Sequence, residues 1–253
     1  MNNRPLIAIT MGDPSGIGPE VIAKALTGTE IREQYDPLVI GNAEILAAAF
    51  RMVNSQLVPQ VVNTAREATG LRKQGKIGVF DAHSERSFAN LEYGVLSAAA
   101  GKASVEWVIS AGRLAIEHEV DAIVTAPINK AAAKLAGYDD IGHMELLQTL
   151  SEAPEVATML VTKGLRVVHL TTHRSLRVAC DYVTKANILA KIRLTNEFFS
   201  AYGMPNALIG VAALNPHGGE EGILGTEEID SIMPAITEAK NEGINATGPI
   251  PAD

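Results

Sequence analysis

Cysteine is nearly absent: Cys180 is the only one in 253 residues, which excludes an internal disulfide framework and a cysteine-built zinc site. A single thiol fits a reducing compartment, and Cys180 is not expected to act in catalysis. Positive charge is also short, with 21 Lys and Arg against 29 Asp and Glu for a net charge of −8. That balance argues against nucleic acid or an anionic membrane as the main partner, while a local basic pocket for a phosphate or carboxylate stays open. No apolar run reaches the roughly 18 residues of a membrane span, and the Met1-Asn2-Asn3-Arg4-Pro5 start lacks the basic and apolar regions of a secretion signal. A cytoplasmic protein whose partners are small molecules or its own copies is the expectation. Internal repeats, low-complexity segments and obvious linkers are missing as well.

What is present is a core: 47% of the residues are hydrophobic, arranged as short β-rich runs alternating with helical periodicity. Strands are expected at Leu6–Met11, Pro37–Gly41, Leu57–Val62, Ile77–Phe80 and Val120–Thr125. Between and after them, helices are expected at Pro19–Leu26, Ala43–Met52 and Tyr93–His118, with a polar loop around His83, and a helix of about two turns near His143. Farther on, a hairpin turning at Lys163-Gly164, a helix over 184–202, a strand over Ala207–Leu214 and a helix over Thr226–Asn241 complete an α/β pattern.

Candidate chemistry sits at strand exits, where α/β folds bind ligands. The run Leu165 to Leu170 reads as a buried strand leading to Thr171-Thr172-His173, with His169 as a core histidine inside it. Ala207–Leu214 leads to Asn215-Pro216-His217. Two imidazoles presented in this way, His173 and His217, can share one divalent metal, although strand-end histidines also cap helices or pair with carboxylates. Gly12-Asp13-Pro14-Ser15-Gly16-Ile17-Gly18 links a strand to a helix, either as a phosphate cradle or as a tight structural turn. It is neither a dinucleotide fingerprint nor a P-loop. Asn129 and Lys130 offer an amide and an ammonium to an anion, or a cap to a helix. His143 at a helix start projects into a cleft or packs, and Met144 beside it reads as core.

Taken together, five motifs resemble the 4-hydroxythreonine-4-phosphate dehydrogenase family of pyridoxal phosphate biosynthesis, with its relatives acting on four-carbon sugar-acid phosphates. They are Ile9 to Glu20, Thr125 to Lys130, Gly142-His143, Leu170 to His173 and Leu214 to His217, in family order. The resemblance implies two α/β/α domains with a cleft between them, like isocitrate and isopropylmalate dehydrogenases, here divided as 1–130 and 131–253, and a homodimer with shared sites. It implies His173 and His217 as metal ligands, His143 and Met144 as substrate contacts, and NAD or NADP with a divalent metal, zinc first and magnesium, manganese or cobalt as alternatives. The implied reaction is oxidation and decarboxylation of a phosphorylated 3-hydroxy acid, 4-phosphooxy-L-threonine first, with D-threonate or D-erythronate 4-phosphate as alternatives. A metal-free phosphate-binding or acyl-transferring α/β protein is the competing reading. Two departures stand out: Met144 occupies the place of a family threonine, and family chains continue past Pro251-Ala252-Asp253 with a third metal histidine. An incomplete metal shell, and no activity without that portion, are therefore expected.

Overall fold

The structure is a computed structural model describing residues 4–28, 34–81, 88, 91–139 and 142–251. His83 lies outside the described residues. The chain divides into two units, 1–154 and 155–253. Among the described residues no helix is long and apolar enough to cross a membrane.

The first unit is built on five parallel strands: β1 (Leu6–Thr10), β2 (Asp36–Ile40), β3 (Val58–Val61), β4 (Lys76–Phe80) and β5 (Ala122–Thr125), in the order β3-β4-β2-β1-β5. The central strands are continuous apolar runs because both faces are covered, and Ala8, Leu38, Val39, Ile40, Ile77 and Val79 are fully buried. Helices α1 (Gly18–Thr27) and α2 (Ala43–Met52) follow crossovers in one direction, while α3 (Ala98–Ile116) serves the return to β5. The right-handed crossover rule then places α3 on the opposite face, where Trp107 is buried in the same core as β1 and β2.

Local chemistry sets the helix ends. Asn42 accepts the amides of Glu44 and Ile45 at 3.0 and 3.1 Å, so α2 starts where the sequence indicates. In α3 the start falls five residues later than expected, because Gly94 takes a left-handed φ of 77° and Ser97 supplies the cap to Ala100. Two short helices, α4 (Lys130–Leu135) and α5 (His143–Ser151), pack on α3. A Cβ on Gly101 would lie 2.0 Å from the Ala132 carbonyl oxygen, and one on Gly112 would lie 2.4 Å from Leu150 Cδ2, so two glycines permit that approach. The boundary therefore falls after Pro154 and not after Lys130, since α4 and α5 belong to the first unit's packing.

In the second unit, β6 (Met159–Thr162) and β7 (Leu165–Val168) form an antiparallel hairpin turning at Gly164, with φ of 78°. The expected buried strand is corrected here. Leu165 is 57% exposed and Val167 41%, because a two-stranded sheet has no covering layer among the described residues. His169 follows the strand end, half-buried and outside the core. After α6 (Leu176–Asp181), α7 (Lys185–Ala201) begins at Thr184, whose hydroxyl accepts the Asn187 amide. Strand β8 (Ile209–Ala212) pairs in parallel with β9 (Ala246–Ile250), which the Gly248-Pro249-Ile250-Pro251 sequence disguises as a turn. A single π turn, Glu228–Ile232, leads into α8 (Met233–Asn241). Ile188, Leu189 and Ile192 of α7 meet Ile232, Ala235, Ile236 and Ala239 to make this unit's core.

Candidate active site

In the first unit the chain leaves β1 for β2 on one side and later returns to β5 on the other, so the order reverses between β1 and β5. The carboxyl ends of those strands form the switch-point crevice in which open α/β sheets bind ligands. Thr10 and Thr125 are register partners there. Beyond them the two exit loops are stitched together, Ala126 donating to the Thr10 carbonyl at 3.2 Å and Asp13 to the Pro127 carbonyl at 3.0 Å.

That stitching requires glycine at two positions. A Cβ on Gly12, whose φ is 72°, would sit 2.4 Å from the Pro127 oxygen, and one on Gly18 would sit 2.3 Å from the Met11 oxygen. The glycines admit the chain's own carbonyls. Asp13 is buried, and its Oδ1 accepts the Ser15 amide at 2.8 Å, an acceptor shaping the turn and not a donor to an anion. Likewise Asn129 Oδ1 accepts the Ala131 and Ala132 amides at 3.0 and 3.2 Å, capping α4, while Lys130 is exposed beside it.

His143 opens α5, half-buried, with Met144 next to it in the first turn. Its Nε2 is buried without a hydrogen-bond partner among the described residues, as are Thr10 Oγ1 and Ser15 Oγ. A buried polar atom left unpaired costs about 1–3 kcal/mol, which makes these atoms the places where a ligand has most to offer. Burial holds the His143 pKa below its usual value, opposed by the Ala126 backbone and the Glu145 carboxylate and aided by the Lys130 ammonium. The ring is therefore neutral at neutral pH, able to donate or accept one hydrogen bond without carrying charge.

In the second unit, His173 is exposed in a bend between β7 and α6 at φ of 55°. Next to it the Arg174 guanidinium stacks 4.6 Å from the Tyr182 ring centroid. His217 belongs to a left-handed turn in which five successive residues, His217 to Glu221, have φ between 46° and 80°. Left-handed conformation costs a non-glycine residue roughly 1–2 kcal/mol, and such strain persists only where surrounding contacts enforce it. His217 Nδ1 lies 2.7 Å from Glu220 Oε1, which selects one orientation of the exposed ring.

Next to this turn lies Glu228. It is 2% exposed. Its Oε1 accepts the Leu214 and Asn215 amides, both at 2.8 Å, and its Oε2 accepts Asn215 Nδ2 at 2.9 Å. Burial raises the carboxyl pKa, but the bonds from the Asn215 backbone and side chain, its own amide and the Leu214 amide outweigh this and hold it below the usual carboxylate value.

Residues 33–253 match the family model described as "Pyridoxal phosphate biosynthetic protein PdxA". The chain belongs to the PdxA family. A Clostridium botulinum relative with the provisional name D-threonate 4-phosphate dehydrogenase is 39% identical over 253 residues, all of this chain and 75% of the relative. A Symbiobacterium thermophilum protein of the same provisional name is 41% identical with the same coverage. The crystal structure of a 4-hydroxythreonine-4-phosphate dehydrogenase from Burkholderia phymatum superposes with a TM-score of 0.90 at 38% identity, covering all of this chain and 76% of that one. This PdxA chain is accordingly an α/β oxidoreductase of a dehydrogenase family, and the acyl-transferring alternative falls away.

A metal is tested by the donor set. His173 and His217 are chemically suited to a divalent cation. Among the described residues, however, no group of three or more His, Cys, Asp or Glu is placed to hold one. The described residues do not complete a metal site.

Proposed function

We propose that this PdxA-family chain serves the NAD(P)-linked, metal-dependent oxidation and decarboxylation of a phosphorylated four-carbon 3-hydroxy acid in the cytoplasm, as a homodimer. The observation that carries the reading is His143: a neutral imidazole with a buried, unpartnered Nε2 beside Lys130 at the carboxyl edge of the sheet. A neutral ring there bonds a substrate hydroxyl or phosphate oxygen without losing a proton to it. The Lys130 ammonium supplies the positive charge that an anionic substrate needs in a chain of net charge −8. The oxidation itself is a hydride transfer to a bound nicotinamide. His173 and His217 are two ligands of the proposed metal.

The substrate within this class is set by what meets carbon 2. The curated relatives bear the threonate name, with a hydroxyl there, and the Burkholderia phymatum neighbour bears the hydroxythreonine name, with an amine. Met144 offers a thioether that bonds neither group well. The test is turnover of 4-phosphooxy-L-threonine, D-threonate 4-phosphate and D-erythronate 4-phosphate with NAD and with NADP, by protein extended to the full length of its relatives, before and after chelation. If no hydroxy-acid phosphate reduces either cofactor, the proposal is wrong.

A further inference from the structure

The backbone around His217 is held from one direction by a single side chain. Glu228 reaches out of the π turn into the segment before His217, where it accepts both successive amides of Leu214 and Asn215 and the Asn215 side chain. Asn215 Nδ2 also donates to Glu227 Oε2 at 2.7 Å. On the far side of the histidine, the left-handed turn closes directly onto the same carboxylate, since a Cβ on Gly219 would lie 2.8 Å from Glu228 Oε2. The turn is then finished by the Leu224 amide donating to the Gly219 carbonyl at 3.0 Å. One carboxylate thus touches the chain before His217 and the turn after it.

From this geometry we infer that Glu228 is a positioning residue for His217, fixing the strained turn that sets the direction of the imidazole. The inference deepens the reading of His217 as a metal ligand and rests on it for functional meaning. Its physical content is independent of any metal. A carboxylate fits because three donors converge on its two oxygens. Glutamine keeps the shape but turns an amide donor toward the donors it must receive, so it loses at least one bond. Glu228 stands four residues before Ile232 and seven before Ala235, in the row of buried positions along this element, so its side chain is turned inward.

The test compares the chain with Glu228→Gln, Gly219→Ala and Ile232→Ala. Ile232 is 2% exposed in the same π turn, so its truncation reports what loss of core packing does alone. Native-state hydrogen exchange follows the Leu214 and Asn215 amides, and carbon-detected ring signals, assigned with His217→Ala, follow the imidazole. Expected for Glu228→Gln are exchange of those amides faster by about tenfold, the loss of one buried bond, and His217 signals moved toward those of free histidine. Gly219→Ala moves the same signals from the other side of the contact and decides the matter alone if the Glu228 variant does not fold. Ile232→Ala lowers the melting temperature with the His217 signals in place. The inference is overturned if neither variant moves the ring signals, or if Ile232→Ala moves them equally. Zinc titration of the unaltered chain is read separately: absence of binding removes the metal reading of His217, whereas exchange and ring signals alone judge its positioning.

Discussion

His143 shows how burial and charge together tune one side chain. Because burial depresses its folded-state pKa below the ordinary 6.5, the unfolded chain binds its proton first as pH falls. The stability contributed by the neutral ring is therefore fully present above pH 6.5, and it declines below that value until the folded ring also protonates. The ring's titration followed by proton–carbon spectra is expected to have its midpoint below 6.5, and His143→Gln should remove this part of the acid sensitivity. A midpoint at or above the ordinary value contradicts the burial account. In turnover, His143→Gln is expected to lower kcat/KM by roughly ten- to a hundredfold, the worth of one buried hydrogen bond to substrate. Met144→Thr, which restores a hydroxyl beside it, should shift preference among the hydroxy-acid phosphates by a similar factor. Equal relative rates before and after that change would remove Met144 from substrate choice.

At the scale of elements, two carboxyl-side devices carry local stability. Asn129→Ala takes away the cap of α4, bonded to Ala131 and Ala132, and is expected to cost about 0.5–2 kcal/mol in thermal unfolding. The Glu228 carboxyl is held below its ordinary 4.5, so its contribution is present above that pH and fades as pH falls through the folded value. Acid titration of Glu228→Gln should show a flatter loss of stability below pH 4.5 than the unaltered chain. Much of this architecture was legible in the sequence. Helices α2 and α7 and the hairpin at Gly164 stand where the sequence indicates, because caps and turns are written within a few residues of where they act. The burial of β7 was not, since Leu165 and Val167 form an apolar run whether or not another layer covers them. Strand β9 hid behind Gly248 and Pro249, residues that ordinarily break strands. The Glu228 contact was the least readable part of the candidate site: its partner Asn215 lies 13 positions away, and no local pattern encodes that pairing. His143, His173 and His217 stand out by motif, whereas the pairing of Glu228 with Asn215 needed coordinates.

For the whole molecule, the two units carry separate buried clusters. The first joins both faces of the five-stranded sheet, from Leu6 to Ala126, and the second is a smaller set running from Ile188 to Ala246. Cooperative unfolding follows the connectivity of the core, so two clusters without shared members unfold as two events when each is tested by itself. The second unit should melt first, since it combines the smaller cluster with a hairpin whose Leu160, Val161, Leu165 and Val167 stay exposed. Leu46 is fully buried in the first cluster and Ile236 is 3% exposed in the second. Truncating either to alanine leaves a cavity that costs about 2–5 kcal/mol. Calorimetry of Ile236→Ala should move the lower transition alone, and Leu46→Ala the upper alone. A single transition moved by both substitutions to the same extent would mean that the chain folds as one cooperative body, with the division after Pro154 marking packing density and not independence.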